Sequence, residues 1–514
     1  MTSPTHERKE YHAKIVSADP LLLIVSLISG AVVAQDTSNV LVMARSADTT
    51  GLDPHTQTAF ASFRLLELVY EPLVQLDADL SVIPGLAESW TFGEDGLSIT
   101  FALRQGVTFH NGAEFTSADV AASFARILYE ATAAAARANY LSIASIDTPD
   151  DYTAVFNLSA PDTPLLAALA TVNAAIVDTA DIESGDVATV ANGTGPFWVA
   201  DWTPDVSTTL STNAQWWGGV PAIDGIEIRI IPDEASILAS LRAGEIDFAL
   251  LNDPLIATLL IDDPTVILNR VPAIAYHVLQ LRAAVPPLDN LMVRQAISCA
   301  IDRQEVLDTA SLGEGEVTGP LTMAAFKLPT SDLFCYEKDL AKAQQLMADS
   351  GVEPFTLKVI AANAEPPTAL SEAQSIQAQL AEIGITVEIE SMELGVYVDR
   401  WLAGDFEAAI ALNGGRPDPY TMYARYWPST GNLNNVAGYI DPVLDDLFAR
   451  GRTETDPEAR YAIFSEFQTY VTEQAPWVWL YVGYEYTAQQ PYVTGFVPYP
   501  TDSLISLSQV SLDR

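Results

Sequence analysis

The stretch Pro84–Val120, PGLAESWTFGEDGLSITFALRQGVTFHNGAEFTSADV, reads as a turn, a hairpin and the start of a helix in one unbroken run. Trp90 and Phe92 alternate before the turn residues Gly93-Glu94-Asp95-Gly96, and Leu97, Ile99, Phe101 and Leu103 alternate after it. Residues two apart share one face of a strand, so the pattern predicts two antiparallel strands with a common apolar face. Thr116 then stands three residues before Asp119, the spacing at which two polar side chains cap the first turn of a helix reciprocally. Val120, Phe124, Ile127 and Leu128 supply the apolar stripe of that helix.

Working outward, Val40-Leu41-Val42-Met43-Ala44 reads as a buried strand that opens into the loop Thr50-Gly51-Leu52-Asp53-Pro54-His55. Beyond residue 220 the pattern changes. Ile226, Ile228 and Ile230 alternate as a strand, a helix bearing Ile237, Leu238 and Leu241 stops at Gly244, and Ile246 to Leu251 returns as a buried strand. Such alternation is α/β packing. A second set follows: Val293, Ile297 and Ile301 mark one helix face, and Asp302 with Glu305 starts the next helix. Ser371 with Gln374 caps a helix bearing Ile376, Leu380 and Ile383, which ends at Gly384 and passes into the strand Ile385, Val387, Ile389. Asp456-Pro457 supplies an N-cap and a first-turn proline for the helix bearing Ile463, Phe467 and Val471. The run Trp477-Val478-Trp479-Leu480-Tyr481-Val482 then reads as a strand with its aromatics on one face. No flexible linker separates these two α/β lobes, so the chain is expected to cross between them more than once and to form a hinge there.

Length and charge narrow the function. A chain of 514 residues exceeds one ordinary core, and 49% hydrophobic with 18% charged residues is a globular balance. With 25 Lys+Arg against 67 Asp+Glu the formal net charge is -42. Such a surface repels phosphate backbones and anionic lipid, which excludes nucleic acid as a partner; solubility is the plain reading of the excess. Leu21 to Val33 is apolar or small throughout, too short to span a bilayer comfortably, and ends in Val32-Val33-Ala34. It reads as a secretory signal, residues 1–34, cleaved after Ala34, although Asp19-Pro20 interrupts the approach to the apolar run. No cysteine follows, so a lipid anchor is not expected. Cys299 and Cys335 form a disulfide or remain two buried thiols; both readings are open for an exported chain.

The opening stretch, together with Gly193-Thr194-Gly195-Pro196-Phe197, Val293-Arg294-Gln295-Ala296, Ala300-Ile301-Asp302-Arg303 and Pro417-Asp418-Pro419, resembles the family 5 extracellular solute-binding proteins of ABC importers. That group includes dipeptide, oligopeptide and nickel binders. The resemblance runs over nearly the whole mature chain. It implies an α/β, two-lobed periplasmic-binding-protein fold with an extra inserted domain and a hinged cleft. Mapped on this sequence, residues 36–80, 190–285 and 478–514 make lobe I, residues 81–189 the inserted domain II, and residues 286–477 lobe III. It further implies a small-molecule or peptide ligand between lobes I and III, a monomer without cofactor, and docking on a permease complex in the inner membrane.

The loop Asn413-Gly414-Gly415-Arg416-Pro417-Asp418-Pro419-Tyr420 follows an apolar run ending at Leu412, where an α/β lobe presents its binding edge. Its glycines permit close backbone approach to a ligand. In the peptide-binding relatives an aspartate at about the position of Gly415 pairs with the peptide amine, and dipeptide binders place an arginine near residues 361–367; this sequence has neither. Arg416 could offer its fork to a ligand carboxylate, or pair with Asp418 or another acid. Tyr420, Tyr423, Tyr426 and Trp427 either stack on a ligand or pack within their own lobe. His55 and Thr56, in a loop whose family counterpart borders the cleft, and Tyr276, in the segment returning toward lobe III, complete the candidates. Only His55, His110 and His277 remain after cleavage, too few for a converging nickel set, and His110 belongs to the hairpin motif. No GxSxG, HExxH or Walker sequence is present. The reading is therefore ligand capture without chemistry, an oligopeptide or modified amino-acid conjugate first and an oligosaccharide second, with a secreted hydrolase as the competing class.

Overall fold

Two mixed sheets carry the architecture of the computed structural model, which describes residues 39–363 and 366–514. The proposed signal segment lies outside the described residues. The first sheet runs in the order Ile267–Pro272, Tyr484–Gln489, Phe248–Leu251, Val40–Arg45, Gly225–Ile230, Ser207–Thr212, Phe197–Thr203. Val40–Arg45 is its central strand and lies parallel to both neighbours. The helix Glu234–Ala243 makes the crossover that such parallel pairing demands. Asp233 caps it by accepting the Ser236 N–H at 3.0 Å, and Gly244 ends it with φ 71°.

The second sheet runs Glu316–Val317, Trp477–Val482, Tyr276–Leu281, Ala408–Asn413, Phe355–Ala362, Ile385–Met392. Its last two strands are parallel and are joined by the helix Ala369–Ala381. That helix begins earlier than Ser371: Thr368 holds the N-cap position and donates its hydroxyl to the buried Glu372. The aromatic face predicted for Trp477–Val482 is also split. A bulge opposite His277 and Val278 shifts the register, so Trp477 and Trp479 enter one core layer while Tyr481 joins Val478 and Leu480 in the other.

The inserted unit is a four-stranded antiparallel sheet, Ala87–Phe92, Ser98–Leu103, Thr153–Leu158, Ile143–Asp150, with the helix Ser117–Leu128 over it. The Asp119 carboxylate accepts the Thr116 N–H at 2.9 Å, as the capping spacing requires. Ile99, Phe101 and Leu103 are buried against Val120, Phe124 and Ile127, whereas Phe92, on the edge strand, is 50% exposed. His110 ties this unit to the first sheet: its Nε2 donates to the Gly195 carbonyl at 3.0 Å and its Nδ1 accepts the Gly193 N–H at 3.2 Å. A Cβ on Gly193 would lie 2.0 Å from the Val69 carbonyl oxygen, so only glycine fits that crossing.

The two large sheets exchange chain at residues 273–275 and at Gly483. The antiparallel pair Ile267–Pro272 and Tyr484–Gln489 in the first sheet continues as the antiparallel pair Tyr276–Leu281 and Trp477–Val482 in the second. The Ala273 N–H donates to the Gly483 carbonyl at 2.9 Å and locks the two crossings side by side. Tyr276–Leu281 and Trp477–Val482 thus belong to the second sheet, although the segment boundaries at 285 and 478 assign the first strand and nearly all of the second to lobe I. Both are fully buried strands with partners on each side, a pattern that an apolar run shares with strands of either lobe. Among the described residues no helix is long and apolar enough to cross a membrane.

Cys299 and Cys335 are bonded, with Cα atoms 4.8 Å apart, which resolves the two readings left open by the sequence. The bond fastens the helix Leu291–Ala300 to the segment preceding the helix Leu340–Ser350, over a sequence separation of 36. Closing a loop of that length removes denatured-state freedom. Reduction, or the double change Cys299→Ser with Cys335→Ser, is expected to lower unfolding free energy by about 3 to 4 kcal/mol in chemical denaturation; an unchanged midpoint would contradict this role.

Candidate functional site

A cavity of about 1120 Å³ lies between the sheets beside the two crossings. Arg45, Phe60, Arg64 and Glu67 line it from the first lobe, His277, Ser311, Thr368, Gly415 and Arg416 from the second, and Asn139, Thr171 and Asn173 from the inserted unit. All three units therefore contribute to one wall.

The loop after Ala408–Asn413 reaches this cavity as the sequence predicts, but only some of its residues face it. Gly415 and Arg416 line it, with Pro417 and Thr421. A Cβ on Gly415 would stand 2.1 Å from the Ile274 carbonyl oxygen, so the loop lies directly against a hinge residue and tolerates no side chain there. Gly414 is half-buried nearby, and Phe60 approaches its missing Cβ at 3.6 Å. Asn413 points into the lobe instead, donating to the Tyr276 hydroxyl at 3.2 Å, and both residues are buried. Asp418 caps the helix Pro419–Tyr423 through the Tyr420 N–H at 2.9 Å and forms a bidentate pair with Arg460 at 2.6 and 3.0 Å.

The aromatics of this region do not reach the cavity. Trp427 is fully buried with Trp477 at 4.6 Å between ring centroids, Tyr423 and Tyr426 lie in the same cluster, and Tyr420 packs on Phe448. Their spacing follows the turns of their own chain segment, and the apolar face they share is the core of the second lobe.

His55 is corrected as well. It is fully buried at the junction with the inserted unit, where its Nε2 donates to the Ala175 carbonyl at 2.9 Å and its Nδ1 accepts from Arg126 at 2.7 Å. Burial pushes its pKa down to about 4, so it is a neutral ring with both nitrogens engaged. The Thr56 N–H donates to the Asp53 carbonyl at 3.3 Å, and Asp53 pairs with Arg126. The cavity is met by the same loop a little later, at Thr58, Ala59 and Phe60.

What singles out Arg416 is its lack of an acid. Asp418, the nearest candidate in sequence, is taken by Arg460, and among the described residues Arg416 has one hydrogen bond, to the Gly415 carbonyl at 3.1 Å, and no ion pair. Burial lowers its pKa, and the like charge of Arg425 adds to this. An unpaired cation held in a cleft seeks an anion there.

Sequence inspection passed over the first lobe's contribution. Arg45 pairs with Asp48 at 3.1 Å, Arg64 pairs with Asp502, and Glu67 accepts the Leu504 N–H at 2.6 Å and the Ser503 hydroxyl at 2.9 Å. His277 was weighed only as a metal ligand. Its Nδ1 bonds Glu372 at 2.8 Å while its ring stacks on Tyr481 at 4.2 Å. Burial raises the Glu372 pKa, but His277 and the hydroxyls of Thr368 and Tyr481 outweigh it and leave the carboxyl below its ordinary value. No local motif marks these residues; only their convergence in space does.

Residues 81–434 match the family described as bacterial extracellular solute-binding proteins, family 5. The chain belongs to that family. Among its relatives, the glutathione-binding protein GsiB of Salmonella paratyphi A is 28% identical over 481 residues, covering 89% of this chain and 91% of its own. The probable di/tripeptide-binding protein 5 of Pseudomonas aeruginosa is 29% identical over 442 residues, covering 80% and 84%. The solved periplasmic binding protein DppA of Helicobacter pylori, in complex with the peptide STSA, superposes with a TM-score of 0.79 at 28% identity, covering 92% of this chain and 98% of its own. The fold is thus the two-lobed α/β fold of family 5 solute-binding proteins, and the interlobe cavity is its cleft.

Within that cleft, burial raises the Glu67 pKa from 4.5 to about 7, against the opposing pull of its hydrogen bonds and of Arg64. A carboxyl whose folded pKa lies above its unfolded one binds a proton on folding between the two values, so its contribution is lost as pH rises through the folded pKa. Glu67→Gln removes that titration while keeping the shape. Between about pH 5 and about pH 8 the parent is expected to lose on the order of 2 kcal/mol more unfolding free energy than Glu67→Gln in urea denaturation; equal losses would contradict the shift.

Proposed function

We propose that this family 5 member is the periplasmic substrate-binding component of an ABC importer and carries an oligopeptide or modified amino-acid conjugate. It is exported through a cleaved signal, works as a monomer, closes lobes I and III over its ligand without altering it, and docks in the closed form on an inner-membrane permease complex. Residues 81–189 serve as the peripheral domain inserted in lobe I. The observation that carries the ligand class is Arg416, a cation of the second lobe that faces the cleft and lacks an acidic partner among the described residues. A ligand carboxylate satisfies it with a charge-assisted fork. The related proteins named for glutathione and for di- and tripeptides, and the peptide bound to the related DppA, support ligands that carry such a group. A neutral oligosaccharide leaves Arg416 unmatched.

Mass spectrometry of the solute released from freshly purified protein identifies the ligand, and a peptide or amino-acid conjugate with a free carboxylate is expected. In calorimetric titration with that solute, Arg416→Ala is expected to weaken binding about tenfold or more, the worth of a hydrogen bond to a charged group. A loss within about twofold in a variant that melts like the parent would contradict the assignment.

A further inference from the structure

Beside the crossings, the second lobe turns toward the cleft a polar atom that the protein itself does not use. His277 lies on Tyr276–Leu281, two residues past the 273–275 crossing, and lines the cavity with a side chain only 9% exposed. Its Nδ1 is bonded to Glu372, whereas its Nε2 has no hydrogen bond among the described residues and is not sealed inside the protein. A Cβ on Gly483 would stand 4.0 Å from that Nε2, which places the atom against the second crossing.

The ring is held in place from behind. It stacks on Tyr481 with centroids 4.2 Å and planes 11° apart, and Glu372 fixes its Nδ1 at 2.8 Å. Glu372 accepts from His277, from the Thr368 hydroxyl and from the Tyr481 hydroxyl at the same oxygen, Oε1, while its Oε2 is buried without a partner among the described residues. The carboxylate is fully buried, and no Lys or Arg pairs with it among the described residues. Thr368 and Tyr481 are neutral donors. His277 is therefore the one group bonded to Glu372 that can supply the positive charge a buried anion needs. In that ion pair the Nδ1–H goes to Glu372, and the second ring proton, on Nε2, is left to the cavity.

Resting on the reading of the cleft as a peptide site, we infer that His277 is a specificity-determining residue that donates its Nε2–H to a carbonyl oxygen of the ligand. The kind of acceptor follows from the pair. His277 and Glu372 together carry no net charge, so they offer the cleft a polarised N–H and not a free cation. An uncharged amide oxygen matches such a donor, whereas a full anion would also meet the field of the Glu372 carboxylate behind the ring. Arg416, with no acid of its own among the described residues, has the opposite character and suits the carboxylate. Two residues of one lobe thus read two different groups of the ligand, and a donor that closure leaves without an acceptor costs more than one left in water.

The test uses the protein labelled with nitrogen-15 in its histidines, freed of endogenous solute by unfolding and refolding, and held at about pH 6, below the ordinary imidazole value. The probe is a library of tripeptides lacking Lys, Arg and His. Bound members are counted by mass spectrometry after gel filtration, and the ring resonances are recorded by NMR with and without the library, those of His277 being assigned through their contact with the Tyr481 ring. Peptides are expected to be retained, and the His277 Nε2 is expected to carry a proton whose resonance moves downfield when they bind. His277→Phe keeps a ring on Tyr481 but has no donor, and it is expected to retain at least about tenfold less of the library. Retention by the parent with a bare Nε2, or with an Nε2–H that does not move, overturns the role of His277 and leaves the peptide reading standing. So does a His277→Phe variant that melts like the parent and retains the library within about twofold. Retention of no peptide overturns the peptide reading and this role with it. The resonance on the parent gives its answer even where His277→Phe fails to refold.

Discussion

One backbone hydrogen bond, from Ala273 N–H to the Gly483 carbonyl, marks the place on which the rest of the molecule depends. It joins the two crossings of a single antiparallel ribbon that is part of one sheet on one side and of the other sheet on the other. Each sheet is closed by its own apolar layers on both faces, so neither needs the other to complete a core. The lobes can therefore hold their shapes while the ribbon between them bends, which is the mechanical requirement for hinge closure. Gly415 lies against the Ile274 carbonyl and Thr322 donates to that same oxygen at 2.8 Å, so the loop that lines the cavity is seated on the crossing itself.

The chain carries a net charge of -42, yet the second lobe presents to the cleft a cation, Arg416, without an acidic partner among the described residues. Closing the cleft removes water from that cation, and an unmatched charge then opposes closure. Under the proposed function, a ligand that supplies the counter-charge reverses that sign, so binding and closure become one equilibrium. The polar network of His277, Glu372, Tyr481 and Thr368 fixes the second lobe's wall of the cleft.

Much of this was legible in the residues. The hairpin and capped helix of Pro84–Val120, the crossover ending at Gly244 and the proline-started helix Pro457–Gln474 all obey local rules of pleat, cap and turn, and the structure reproduces them. Gly415 and Arg416 line the cavity between the lobes. Facing was harder to read. A polar loop carries no mark of which side meets the cleft: the sequence points His55 and Thr56 toward the cavity, and their neighbours Thr58 to Phe60 line it instead. The bulge that turns Tyr481 away from Trp477 and Trp479 depends on register across the sheet, not on the run itself.

Small-angle scattering on the ligand-free protein, repeated with a saturating peptide whose binding has been verified by calorimetry, tests the hinged cleft most directly. The account predicts a smaller radius of gyration and a shorter maximum dimension when the peptide is bound, with secondary structure unchanged. Superimposable profiles in the two states would contradict it.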